Sequence, residues 1–250
     1  MAGEPLSTSI TGDRSVDWLT SGSAQTASEG IRQVSKTTDV RAAVEKELNF
    51  DPMVDSRDIA VSNISGDVTL TGTVPSYPQY LEAAAAGRRV AGVTGLHNHL
   101  EVVLPDSDYR DDVQLTTAAN NALAQNVTVP DGVEAEAEDG NITLTGIVSY
   151  GTERAAAEAA VAGLTGVRNV MDDITISYAA DPVDIGLHVK EALDRSALVP
   201  DGSDVAADTK DGVVTLTGHV RTWAEHDAVL NAVWMAIGIV DVHDELQVSG

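Results

Sequence analysis

Three stretches decide the reading: GDVTLTG at 66–72, GNITLTG at 140–146 and GVVTLTG at 212–218. Each begins and ends on glycine, and a third glycine follows 20 residues after the second, at Gly92, Gly166 and Gly238. The register steps by 74 and then 72 residues. That period is too long for one turn of a solenoid and suits a small domain repeated in tandem.

Working outward, the residues between the glycines alternate β-branched side chains with Leu and Val, the pattern of a strand with one buried face. Ser65-Gly66, Asp139-Gly140 and Asp211-Gly212 stand just before it and read as hairpin turns. Preceding strands are expected at Ile59–Ile64, Val133–Ala137 and Val205–Ala207, the third weakest by propensity. A helix follows each central strand. Thr222 with Glu225 forms a capping box, Ser76 with Gln79 a looser one, and Ser149 is the candidate cap of the middle copy. The helices carry small apolar faces: Ala83, Ala86, Gly87 and Val90; Ala157, Ala160, Val161 and Leu164; Val229, Ala232, Val233 and Ala236. Closing strands are expected at Leu96–Leu104, Val170–Ser177 and Val242–Val248. Helices at Asp39–Leu48, Asp112–Ala124 and Asp184–Leu193 open the copies, with Asp39 and Asp184 as N-caps.

The fold class is therefore α+β: three tandem small αββαβ domains, each a three-stranded sheet with two helices on one face. The expected domains are 38–104, 111–178 and 183–248, behind a flexible polar tail at 1–37. That tail is rich in Ser, Thr and Gly and cannot bury enough apolar surface to offset its ordering entropy. Its VDWL stretch around Trp18 is a candidate linear motif. A unit of about 65–70 residues holds a core of marginal stability, so contacts between copies help it.

Composition bounds the function. The formal net charge is −24, with four lysines and eleven arginines. No basic stripe is available to neutralise phosphates, so nucleic acid is excluded as a partner. The acidity fits an ordinary acidic cytoplasmic protein, or alternatively one living in concentrated salt, which screens self-repulsion. There is no cysteine, hence neither a disulfide nor a thiolate metal site. No leader peptide and no membrane-spanning run is visible, which predicts a cytoplasmic protein with peripheral membrane association as an option. The nucleophile elbow, the phosphate-binding loop and the paired-histidine zinc motif are all missing, and the chain reads as non-catalytic and without a cofactor.

The order of hairpin glycine, V-T-L-x-G-x-V, capped helix, G-V or G-I and short strand resembles the BON domain, a family named for bacterial osmotic-shock and nodulation proteins. The resemblance covers about 200 residues in three copies. It implies an αββαβ fold, no catalysis, and binding of phospholipid surfaces or other envelope components, often under osmotic stress. The three copies carry charges of about −4, −9 and −8, and an anionic membrane would repel all of them.

Outside the shared pattern stand Trp223 and Trp234, eleven residues apart on one helix face with Asp227 and Leu230 between them. Equivalent positions hold Tyr77 and Gly151, then Arg88 and Ala162. The four residues are the candidate contact for a partner or a bilayer interface; alternatively the tryptophans bury against a neighbouring copy or a second chain. The expected role is a binding or scaffold protein whose partner is a phospholipid surface or an envelope protein. The alternatives are a structural protein that self-associates into a homo-oligomer, and a cation sensor. His97 and His99 share one side of a strand and are weak metal candidates, lacking a third ligand. The nine glycines Gly66, Gly72, Gly92, Gly140, Gly146, Gly166, Gly212, Gly218 and Gly238 are read as structural.

Overall fold

A computed structural model describes residues 40–177, 182–195, 204–236 and 239–249. The tail with Trp18, the caps expected at Asp39 and from the Asp184 side chain, and Gly238 lie outside what is described.

Each copy runs helix, strand, strand, helix, strand. The first contains α1 (residues 40–50), β1 (Ile59–Ile64), β2 (Asp67–Val74), α2 (Tyr77–Arg88) and β3 (Gly95–Val102). The second contains α3 (Asp112–Gln125), β4 (Glu134–Glu138), β5 (Asn141–Val148), α4 (Gly151–Ala162) and β6 (Asn169–Ile176). The third contains α5 (Pro182–Arg195), β7 (Ala206–Lys210), β8 (Val213–Val220), α6 (Trp223–Trp234) and β9 (Asp241–Val248). The described residues form three separate three-stranded sheets. The repeated strand is central in each, antiparallel to the strand before it and parallel to the one after. The weak β7 forms because β8 supplies a complete antiparallel partner; pairing overrides propensity.

Alternation on the central strand places the core. Val68, Leu70 and Val74 point inward, as do Ile142, Leu144 and Val148, then Val214, Leu216 and Val220, all nearly fully buried. Both helices of a copy pack on that face: Val44 and Leu48 of α1 join Ala83 and Ala86 of α2 over β2. Small residues on α2, α4 and α6 let the helices lie close to their sheets. Each copy thus has its own core.

The glycine register has a geometric cause. The two-residue turns hold both central residues at positive φ, 50° for Asp139 and 79° for Gly140, the twist a tight hairpin needs. The second glycine is where another backbone crosses: a Cβ on Gly72 would lie 1.9 Å from the Asp58 carbonyl oxygen, and one on Gly218 equally close to that of Asp204. The third glycine closes the loop onto the hairpin, since a Cβ on Gly140 would meet the Gly166 carbonyl at 3.0 Å.

Helix entries depart from expectation in all three copies, least in the third. Thr222 Oγ1 accepts from the Glu225 amide as expected, but the Glu225 carboxylate accepts from Arg221 N rather than from the cap residue. Ser76 makes no side-chain cap bond, and the Gln79 side chain accepts from Asp55 N instead of reaching back to the cap residue. Ser149 is one residue too early to cap α4. Tyr150 occupies the cap position, and the Glu153 carboxylate accepts from both Ser149 N and Tyr150 N. Asp111 caps α3, which frees Asp112 to accept from the hairpin amides of Asp139 and Gly140.

Candidate functional site

The second helix of each copy begins and ends on residues that the repeat does not share, and five of these six, all but Ala162, meet another copy. Trp223, first in α6, donates from Nε1 to the Val93 carbonyl of the first copy at 3.1 Å. The Arg88 guanidinium, at the end of α2, lies 4.8 Å from the indole centroid, within cation–π range. Trp223 packs on the cores of both the first and the third copy. Trp234, last in α6, packs on the cores of the second and third. It sits over Gly151, first in α4, where a Cβ would come within 2.3 Å of the indole. Tyr77, first in α2, packs on the core of the second copy and stacks on Tyr80 with centroids 5.6 Å apart. Burial pushes the Tyr77 phenol above its ordinary value, with the charges of Tyr80 and Glu158 adding to the shift. The contacts therefore run first to second, second to third, and third back to first.

Beneath these junctions, one pair of repeat positions links the second helix to the last strand in every copy. In the first, Asn98 Nδ2 donates to the Tyr80 carbonyl at 2.9 Å. In the second, Arg154 pairs with Asp172, whose side chain is 8% exposed. In the third, His226 Nε2 stands 2.8 Å from Asp244 Oδ2 and its Nδ1 3.2 Å from Asp227 Oδ1. His226 is buried and meets Trp223 edge-on at 4.9 Å. The strand residue also accepts from the backbone two residues on, at Leu100, Ile174 and Leu246.

A groove of about 770 Å³ opens where α2 faces the start of α6. Leu81, Ala84 and Leu96 line it with apolar surface, together with Arg88, Trp223 and Asp227. A smaller cavity of about 420 Å³ separates α4 from the end of α6, lined by Arg154, Glu158, Asn231 and Trp234.

Of the residues singled out in the sequence, Trp223, Leu230 and Trp234 are brought together on the third core, and Asp227 reaches the groove. Both tryptophans are half-buried at inter-copy contacts. His97 Nε2 lies 3.0 Å from Asp67 Oδ1, and the His99 ring is 6.3 Å from that of His97. Among the described residues, no group of three or more His, Asp or Glu side chains stands close enough to hold a metal ion, and no helix is long and apolar enough to cross a membrane. Tyr77, Arg88, Arg154, Asp172, His226 and Asp244 were missed by sequence reasoning. The signal for the last four is register: positions 98, 172 and 244 are polar in every copy, and positions 80, 154 and 226 face them.

The family model described as BON domain matches residues 36–103, 111–178 and 183–250. Osmotically-inducible protein Y of Escherichia coli (strain K12) is 30% identical over 143 residues, spanning 55% of this chain and 69% of that protein. Among solved structures, the C-terminal domain of CdsD, the structural protein of the type III secretion system of Chlamydia trachomatis, is 15% identical. That match covers 84% of this chain and 96% of the other, with a TM-score of 0.24. The PrgH periplasmic domain is 9% identical over 78% of this chain and 97% of its own, with a TM-score of 0.20. Scores of that size carry no argument about shape or function.

Proposed function

Because the chain belongs to the BON-domain family, with three copies in tandem, we propose that it is a non-catalytic scaffold of the osmotic-stress response. Its copies form one interlocked unit that presents a composite surface to a protein or envelope partner. The name of the Escherichia coli relative supports the stress assignment. The observation that carries the scaffold reading is the use of Trp223 and Trp234 as inter-copy contacts, with Nε1 of Trp223 already bonded to Val93. An indole so engaged holds copies together and has little surface left for insertion elsewhere. Survival of the source cell after a hyperosmotic shift tests the reading. Loss of the gene lowers survival, the wild-type gene restores it, and Trp223→Ala/Trp234→Ala does not. Equal survival without the gene overturns the stress assignment. Full rescue by the double variant overturns the role given to the tryptophans.

A second reading is favoured by the groove between α2 and α6, whose wall of Leu81, Ala84 and Leu96 lies beside Arg88 and Trp223. That combination of apolar wall and guanidinium suits the edge of a phospholipid surface. Tryptophan emission of a Trp18→Phe chain separates the two readings, measured with neutral and with anionic liposomes at low and high salt. Emission that is blue-shifted already and unmoved by lipid fits the scaffold. A further blue shift on adding liposomes, abolished by Trp223→Ala, fits the lipid surface, and a need for salt would reflect the charge of −24.

A further inference from the structure

The first strand of each sheet is an edge, and its outward backbone groups are covered differently in different copies. A two-residue turn makes its flanking residues a hydrogen-bonded pair. The backbone groups of Ala135 and Ala137 in β4 therefore point away from β5, and those of Ala207 and Thr209 in β7 point away from β8. In the second copy α3 covers them. Asn120 accepts from Ala135 N at 3.0 Å and donates to the Ala135 carbonyl at 2.7 Å, and Thr116 Oγ1 accepts from Ala137 N at 3.0 Å. Both alanines are buried, and so is Val61 at the matching place in β1. In the third copy the helix lies alongside in the same way, since a Cβ on Gly186 would meet the Thr209 side chain at 3.9 Å. Counted from the core residues Leu115 and Ile185, however, Gly186 and Lys190 stand where α3 has Thr116 and Asn120. Gly186 has no side chain to offer. Among the described residues no other side chain bonds to the outward groups of Ala207 and Thr209, and Ala207 is exposed.

We propose that the β7 edge pairs antiparallel with the β7 edge of a second molecule of this chain, joining their two third-copy sheets into one. An open edge with unpaired amides and carbonyls is a template for such pairing. Register and charge identify the occupant. With Ala207 opposite its own counterpart, Val205 falls opposite Thr209 on both sides, so outward groups meet outward groups as an antiparallel ladder requires. On the solvent face, Lys210 then falls opposite Asp204 of the other molecule, and Asp208 opposite Ala206. The twofold relation repeats both matches, and no like charges stand directly opposite. Lys210 and Asp204 are exposed, and Asp204 Oδ2 is held by His219 Nδ1 at 3.0 Å. The same alignment on β4 would set Glu136 against Glu134, a repulsive match. The second copy thus has a capped edge with a self-repelling face, and the third an open edge with a self-complementary one. The net charge of −24 opposes association at long range. Salt of about 0.15 M, with a Debye length of about 8 Å, confines that repulsion to groups near the contact.

The pairing goes beyond the scaffold reading and stands or falls separately, because its test measures association rather than survival. Sedimentation equilibrium of the full chain, over roughly 1 μM to 1 mM at about 0.15 M salt, reads it directly. The expected result is a dimer that forms with rising concentration and goes no further, since a twofold contact is closed. Lys210→Asp should weaken it about tenfold by turning two attractive matches into repulsive ones, and adding Asp204→Lys should restore it. Gly186→Thr/Lys190→Asn gives α5 the caps of α3 and should yield a folded monomer. If that variant folds poorly, the charge exchange decides alone, because both of its residues lie on the exposed face. A wild-type chain that stays monomeric throughout would overturn the self-pairing and leave the edge to a strand of another protein. A dimer of unchanged strength in Lys210→Asp would place the contact elsewhere and overturn it as well.

Discussion

The indole of Trp234 closes over the first residue of α4, so that a methyl group built on Gly151 would lie 2.3 Å from its Cε3 atom. Gly151→Ala should therefore force the indole out and cost about 1–3 kcal/mol, the range for overpacking, despite alanine being the better helix former. The same substitution in a Trp234→Ala chain should be neutral or stabilising. Denaturant unfolding of the four-member cycle checks this. Equal costs in both backgrounds would mean that the two residues are not in contact.

The other tryptophan is held by polarity as well as shape. Trp223→Phe keeps most of the packing but loses the bond to Val93 and weakens the attraction of Arg88, for about 1 kcal/mol. Trp223→Ala should cost roughly 2–3 kcal/mol, below the range for a fully buried aromatic because the ring is half-buried. Because the residue packs on two cores, hydrogen exchange in Trp223→Ala should quicken in the first copy as well as the third. Exchange altered in the third copy alone would contradict the junction.

What was legible in the sequence and what was not divide along one line. The hairpins, central strands and glycine register repeat because each copy must solve the same local problem, a positive φ or a backbone crossing at one place. Three solutions side by side expose the constraint. The junctions are written where the copies differ: Tyr77, Gly151 and Trp223 at helix starts, and Arg88 and Trp234 at helix ends. Comparing copies marks such residues as exceptions, but it says nothing of which copy lies opposite. The role of Gly151 was not legible because its partner Trp234 is 83 residues away. Asp172 and Asp244 were hidden among 39 acids, and only their shared register distinguishes them.

The glycines make a graded series. Gly72→Ala and Gly218→Ala bring a Cβ against backbone at 1.9 Å, at φ values of 120° and 122°, and neither neighbour can give way as a side chain would. Each should cost more than about 3 kcal/mol and unfold its own copy first. Gly163 has φ −86° and nothing within 4 Å, so Gly163→Ala should be neutral or raise stability by up to about 1 kcal/mol. Thermal melts of the three variants provide the check, and a destabilised Gly163→Ala would contradict the open space beside that residue.

The helix-to-strand link predicts that one residue type acts oppositely in different copies. Asp serves at 172 and 244 because Arg154 and His226 face it. In the first copy the facing position is Tyr80, and Asn98 works by donating its amide to the Tyr80 carbonyl. Asn98→Asp, which imports the residue of the other copies, would set a carboxylate against that carbonyl and remove the donor. A cost of about 1–3 kcal/mol is expected, the penalty of a polar group left without its partner. Adding Tyr80→Arg should recover part of it by rebuilding the pair of the second copy. Chemical denaturation of the single and double variants decides the matter. An Asn98→Asp chain as stable as wild type would show that the strand position works through its backbone acceptor alone.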